Sequence, residues 1–304
     1  MQAVLVIMKN DVFKGVLYVG LGATSFGMLA TFVKLAYAEG YTTAEVTLSQ
    51  ILLGLLGMAI VFAIRKGTGT KPLAKATLKN KVQLIIAGTS MGFTSVFYYM
   101  SVTYIPVSIA IVLLMQTVWM GVILEWIITK TVPSIKKIIA VAIVLSGTVL
   151  AANLSNVDAL PNWQGLVWGL LAAASFTATM FSGNKIATHL PTAQRSLFML
   201  MGGTTVVLCF TAITWPGQFN FSIFFSWGIF LAVFGTILPP LLLNAGFPKA
   251  GLGLGSIVSS LELPVSVSMA YFILNETVSP LQWLGIALIL SAVVLMNINT
   301  RSKQ

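Results

Sequence analysis

The chain has 304 residues, of which 57% are hydrophobic and 8% charged, and its formal net charge is +10. Soluble globular chains carry about 25% charged and about 45–50% apolar residues, so the composition argues against a water-soluble fold. The positive charge does not point to nucleic acid, because the basic residues fall in short stretches between apolar runs and form no basic face.

A hydrocarbon core of ~30 Å takes ~20 apolar residues per helix. Runs of about that length recur from end to end and predict helices over 15–37, 43–64, 82–104, 106–128, 136–153, 164–184, 196–215, 225–245, 252–274 and 280–298. The longest stretch outside them, Arg65 to Lys81, has 17 residues and is too short for a domain. The expected fold class is therefore an all-α membrane protein with ten transmembrane helices, its chemistry confined to the bilayer and its rims. The single cysteine, Cys209, lies in an apolar run and leaves no disulfide framework and no Cys-based zinc site.

Cytoplasmic loops hold the excess of Lys and Arg. Here the even-numbered connections and the two tails carry sixteen of the seventeen basic residues, while Glu39, Glu45, Asp158 and Glu276 lie on the odd-numbered connections. This predicts a multi-pass protein of the cell membrane (inner or plasma) with both termini cytoplasmic. Lys34 is the exception.

Two stretches repeat. Ala23-Thr24-Ser25-Phe26 matches Ala173-Ala174-Ser175-Phe176, and Thr131-Val132 with Ile143-Val144-Leu145-Ser146 matches Thr277-Val278 with Ile289-Leu290-Ser291 after a slip of one residue. Two five-helix repeats result, roughly 14–153 and 163–299. Five is odd, so the second is inserted with inverted topology, an arrangement common among secondary transporters.

The segment Tyr98 to Ser108, with the run Ser260-Leu261-Glu262-Leu263-Pro264-Val265, then Leu274-Asn275-Glu276-Thr277 and Gln282-Trp283-Leu284-Gly285, resembles the EamA family of the drug/metabolite transporter superfamily. The resemblance implies ten helices in two inverted repeats, a central solute cavity, and transport, often export, of small metabolites without ATP. Lys130 and Gln50 depart from the family pattern, which often shows Glu and Arg there, so the substrate of better-known relatives is not carried over.

Candidate site residues follow from the cost of polarity in lipid. Glu262 falls near the middle of the ninth span, where an ionisable side chain costs about 2.5–3.5 kcal/mol or more. Ser259, Glu262 and Ser266 fall at i, i+3 and i+7, on one helical face, and Pro264 frees a backbone carbonyl beside them. Glu262 can act as a proton acceptor or as the ligand of a cationic or hydroxylated solute; it can equally be a hydrogen-bonded side chain that joins helices. Gln116 is read as its counterpart in the fourth span, with Trp119 one turn on. Lys34 ends a stripe with Gly20, Thr24, Gly27 and Thr31, and either holds an anionic group or snorkels to the interface and pairs with Glu39. The third helix presents Ser90, Thr94, Tyr98 and Ser101 on one face, and the eighth presents Thr236, Pro240 and Asn244. Together these polar stripes predict a mixed polar and aromatic cavity for a small or amphipathic solute. Glu125 is expected at the cytoplasmic rim, paired with Lys136 or Lys137.

Gly251-Leu252-Gly253-Leu254-Gly255 lacks the strand and the Gly-Lys-Ser/Thr ending of a phosphate loop, and reads as close helix packing or a flexible gate. His189 reads as a solvated loop residue. The expected function is a secondary transporter working by alternating access, with export as the direction and proton coupling through Glu262 as a separable feature. A passive facilitator or channel of the same architecture is the alternative. A membrane-embedded enzyme is disfavoured, since the spans hold no His-Glu-x-x-His motif and no His. No metal or other cofactor is expected. The expected partners are a small-molecule solute, the lipid bilayer and protons, not nucleic acid, and the protein is expected to be a monomer or weak dimer.

Overall fold

The computed structural model describes residues 2–68, 76–152, 162–215 and 217–298. Lys71, Lys75, Arg301, Lys303 and Asp158, which carry part of the charge asymmetry, lie outside the described residues. Among those described there is no strand. The helices are α1 (Gln2–Ala38), α2 (Thr43–Thr68), α3 (Leu78–Tyr104), α4 (Val107–Leu114), α5 (Thr117–Thr129), α6 (Ile135–Ala151) and α7 (Trp163–Lys185). There follow α8 (Thr192–Ile213), α9 (Trp227–Ala232), α10 (Leu238–Ala250), α11 (Leu252–Ser259), α12 (Glu262–Leu274) and α13 (Pro280–Ile298). α4 runs into α5, α9 into α10 and α11 into α12, so the helices form continuous rods.

Seven rods are long and apolar enough to cross a bilayer: Asp11–Ala38, Thr43–Thr68, Val107–Thr129, Trp163–Lys185, Thr192–Ile213, Trp227–Ala250 and Leu252–Leu274. α3, α6 and α13 do not meet that measure. Leu17, Leu56, Ile60, Ile86, Ile127 and Leu284 stand exposed on the outer faces of the rods. A surface apolar on this scale belongs in lipid, and the chain is a multi-pass membrane protein.

Local chemistry sets the helix ends. Thr42 and Glu45 form a capping box, the Thr42 N–H donating to Glu45 Oε2 at 2.7 Å and the Glu45 N–H to Thr42 Oγ1 at 3.3 Å. Ser279 and Gln282 repeat the device at the start of α13. Ser134 and Asn162 cap α6 and α7 with their side chains. Inside the eighth rod the chain makes one π-turn, Val233–Ile237, immediately before Pro239 and Pro240, which have no N–H to continue the ladder.

The rods pack through small residues, as helices in lipid do. A Cβ on Gly88 would run into the Met199 carbonyl, and one on Gly202 into the Ile85 carbonyl, so α3 and α8 meet backbone to backbone. The packing is exchanged between the two parts of the chain: α1 lies along α10 as α7 lies along α3, while α6 meets α13 and α5 meets α11. The sequence match at Ser25-Phe26 and Ser175-Phe176 has a structural meaning here. Ser25 donates to the Phe234 carbonyl at 2.8 Å and Ser175 to the Ser90 carbonyl at 3.0 Å, each bonding across to a helix of the other part. Phe26 and Phe176 meet edge to face with centroids 6.2 Å apart.

Candidate functional site: a two-chambered cavity beside Glu262

Between the two parts of the chain lies a cavity of about 190 Å³ bordered by α1, α2, α3, α7, α8, α10 and α12. Its walls are largely apolar, with Phe26, Phe176, Phe247, Leu29, Met180 and Leu243 among them. Its polar groups are few: Gln50, Thr94, Ser95, Thr179, Thr236, Asn244 and Glu262. Ser95 also borders a second chamber of about 480 Å³, formed by Tyr37, Tyr41, Thr47, Tyr99, Phe210 and Thr214 at the far ends of α1 and α8. Ser95 thus stands between the two chambers and borders both.

Glu262 is the first residue of α12, directly after the break that separates α11 from α12 at Ser260 and Leu261. Pro264 has no N–H to offer the Ser260 carbonyl, which accepts instead from Leu263 at 3.2 Å. Glu262 is half-buried and makes no hydrogen bond or ion pair with the described residues, and the Gln50 amide is likewise without a partner. The Thr236 hydroxyl is fully buried and unpaired. Unsatisfied polar groups gathered in one cavity are expected where a solute or water supplies the missing partners. Tyr98, on α3 one turn past Thr94, lies within electrostatic reach of Glu262.

At the other end the cavity floor is stitched shut. Asn244 donates to Ser196 Oγ at 2.9 Å, Ser196 to the Pro240 carbonyl at 3.0 Å, and Asn184 to the Phe247 carbonyl at 2.6 Å. Beneath them Arg195, 2% exposed, donates to the carbonyls of Ile186, Asn244 and Gly183. Arg195 is therefore a buried side chain of the first turn of α8, not a loop charge. The rod starts earlier than its apolar run because Pro191 begins it and α7 offers bare carbonyls at its end. Glu125 pairs with Lys137, as expected for one of its two candidates, and its carboxylate lies against Gly251 and Gly253. The glycine run serves close packing: Leu252 to Ser259 are all buried. His189 is exposed and hydrogen-bonds Asn80.

Of the residues singled out from sequence, Glu262, Thr94, Asn244, Thr236 and Pro240 border the inner cavity. Ser90 stands just behind it, bonded to Thr179 at 2.7 Å. The others are elsewhere. Gln116 donates to the Val112 carbonyl at 3.0 Å and accepts the Trp119 indole N–H at 2.8 Å, so this pair mends the break between α4 and α5. The counterpart of Glu262 is Thr117, not Gln116, since each is the first residue of a thirteen-residue helix. Ser259 is buried and bonds the Ser256 carbonyl, and neither it nor Ser266 borders the inner cavity. Thr31 is buried with an unpaired hydroxyl, on the side of α1 whose Gly27 admits the backbone of Glu262. Lys34 neither enters the cavity nor pairs with Glu39. It forms a 2.6 Å ion pair with Glu276, both side chains about half exposed at 52% and 45%. Ser101 donates to the Gly165 carbonyl and joins α3 to α7.

Sequence reasoning missed Ser95, Thr179 and Arg195. Thr179 could have been found, because Ser175 and Thr179 stand one helical turn apart on α7. Ser95 lies off the polar stripe of α3 and carries no such signal.

A bundle of apolar helices in two exchanged parts, enclosing a solute-sized cavity with one unpaired carboxylate, has the form of a polytopic membrane transporter. The chain belongs to the EamA-like transporter family, whose model matches residues 13–153 and again 163–298, one repeat each. It is thus a membrane transporter of the drug/metabolite type. A solved crystal structure that is 13% identical has the same fold, with a TM-score of 0.76 over 94% of this chain and 97% of that one. No curated protein matches the sequence.

Proposed function

We propose that the protein is a secondary transporter that crosses the cell membrane ten times, in two inverted five-helix repeats of residues 14–153 and 163–299, with both termini cytoplasmic. A small solute binds in the inner cavity and is exposed to either side in turn as the repeats rock against each other. The carrying observation is the inner cavity itself, which shares Ser95 with the outer chamber on one side and is bounded on the other by the Arg195, Asn244 and Ser196 network. In the orientation that the basic residues favour, the outer chamber faces outward and the hydrogen-bonded floor faces the cytoplasm. Export is the expected direction, with Glu262 as the proton acceptor.

Reconstitution into liposomes tests this, using a panel of labelled metabolites with and without an imposed pH gradient. A gradient should drive accumulation of at least one solute, and Glu262→Gln should reduce that accumulation to the level of protein-free liposomes. Undiminished accumulation in the variant would exclude the proton role. A passive facilitator would equilibrate its solute and never concentrate it; the hydrogen-bonded floor beneath the inner cavity favours alternating access over an open channel.

A further inference from the structure

We propose that the connection between α8 and α9, residues 214–226, is a lipid-docking element. It seats in the headgroup layer of the leaflet opposite the two termini and, through Glu45 and Tyr41, ties the wall of the outer chamber to that surface. The docking does not depend on which solute is carried.

Composition sets this connection apart. No Asp, Glu, Lys, Arg or His occurs between Arg195 and Lys249. The other connections of more than two residues at this end of the rods each carry an acid, Glu39, Asp158 or Glu276, as segments in water do. Seven of the sixteen residues from Trp215 to Phe230 are aromatic, against 11% of the whole chain.

The height of the connection follows from the rod before it. α8 has 22 residues, and at about 1.5 Å per residue it spans ~33 Å, close to the ~30 Å of a hydrocarbon core. Its end at Ile213 is therefore level with the membrane boundary. From there the chain folds down into a short 3-10 turn, Phe221–Phe225, instead of rising into water. Ile223 of that turn is fully buried and packs with Ala36, Val46 and Leu231 of α1, α2 and α9.

The remaining rings are held facing outward. Phe221 and Phe225 are 67% and 87% exposed, and exposed Ile213 and Ile229 on the adjoining rods continue the same apolar surface. The turn cannot roll to hide them, because polar bonds fasten its inner side. The Asn220 N–H donates to Glu45 Oε1 at 2.6 Å, and the Tyr41 and Ser222 hydroxyls share a 2.7 Å hydrogen bond. An apolar face fixed outward at the boundary fits the interfacial layer, where Trp and Phe rings sit between headgroups and acyl chains. Without a charge of its own the element needs no anionic lipid, so zwitterionic phospholipid is the partner and salt does not screen the contact.

The same bonds reach the outer chamber. Tyr41 and Thr42 belong to its wall, and the Glu45 carboxylate accepts both the Thr42 N–H and the Asn220 N–H. The α1–α2 corner is thus fastened to a segment that lipid holds in place.

The test places single cysteines in a Cys209→Ser background, since the native cysteine is exposed. Phe221→Cys, Phe225→Cys and, as a control in the α1–α2 corner, Glu39→Cys carry an NBD fluorophore in phosphatidylcholine liposomes, with size-exclusion profiles checking that each variant is folded. Quenching by phosphatidylcholine with a nitroxide near its headgroup should be at least threefold stronger at 221 and 225 than at 39, and quenching by iodide at least threefold weaker. Adding 30% phosphatidylglycerol or raising the salt should change neither. Iodide quenching equal at all three positions would overturn the docking. Protection of 221 and 225 from iodide and nitroxide lipid alike would show that a second copy of the chain covers them, and would overturn it too. A rise in lipid quenching with phosphatidylglycerol would replace the zwitterionic partner by an anionic one. For the link to the chamber, the double variant Phe221→Ser with Phe225→Ser should speed deuterium exchange of peptides spanning Tyr41 to Val46 at least fivefold, and Phe221→Trp with Phe225→Trp should stay within twofold of the parent. Unchanged exchange in the serine variant would separate the docked turn from the chamber wall.

Discussion

The fourth and ninth rods are the same piece of structure put to different uses. α4 and α11 each have eight residues, α5 and α12 each thirteen, and each rod ends on a non-glycine residue in the left-handed region, Lys130 at φ 57° and Asn275 at φ 54°. In the fourth rod the break is mended by side chains, Gln116 reaching back to Val112 and Trp119 to Gln116, and Thr117 is fully buried and bonded to Thr177 at 2.8 Å. In the ninth, Pro264 has no N–H to offer across the break, and the residue matching Thr117 is Glu262, unpaired at the cavity edge. The duplicated backbone supplies a symmetric frame, and one substitution at a matched position makes its chemistry one-sided.

This comparison can be broken most sharply by exchanging the two residues. The double variant Thr117→Glu with Glu262→Thr should transport no better than protein-free liposomes, because position 117 faces Thr177 and Met180 inside packed helices and offers no access to the cavity. Recovery of even a tenth of the flux would show that the two rods are functionally equivalent. Next in size is the packing of α3 on α8. Gly88→Val forces α3 off the Met199 carbonyl and should destabilise the fold by at least about 1–3 kcal/mol, the usual cost of overpacking, read as a lowered Tm in detergent. Thr117→Val removes one interhelical hydrogen bond, worth about 0.6 kcal/mol in a membrane, and should leave flux within twofold. The smallest effect is expected at the rim. Lys34→Gln breaks a half-exposed ion pair and should change stability by less than about 1 kcal/mol, with flux unaltered.

Much of the helix plan could be read in advance because hydropathy is additive along the chain. Apart from α1, which begins at Gln2 where the apolar run starts at 15, the described helices fall within about five residues of the apolar runs, and rods extend past them at Thr192 to Arg195 and at Gly246 to Ala250. The candidate site was legible only in part. Glu262, Thr94, Asn244, Thr236 and Pro240 stood out because polarity in an apolar run must face protein or water. Gln116 and Ser259 obey the same rule by bonding backbone carbonyls of their own rods, and Thr31 is buried against neighbouring protein without bordering the cavity. A polar stripe on one helix does not reveal whether its neighbour is a backbone carbonyl or an empty space.

The composition, the run lengths and the repeated Ser-Phe pair settled the class of fold and its duplication, since burying apolar length in lipid depends on each segment alone. Which of two polar residues at a helix break meets the cavity, where Lys34 finds its anion, and whether Arg195 is solvated or buried all depend on contacts between segments far apart in the chain. Ser25 bonds to Phe234 and Lys34 to Glu276 across more than two hundred residues, and such pairings are decided by how the rods pack.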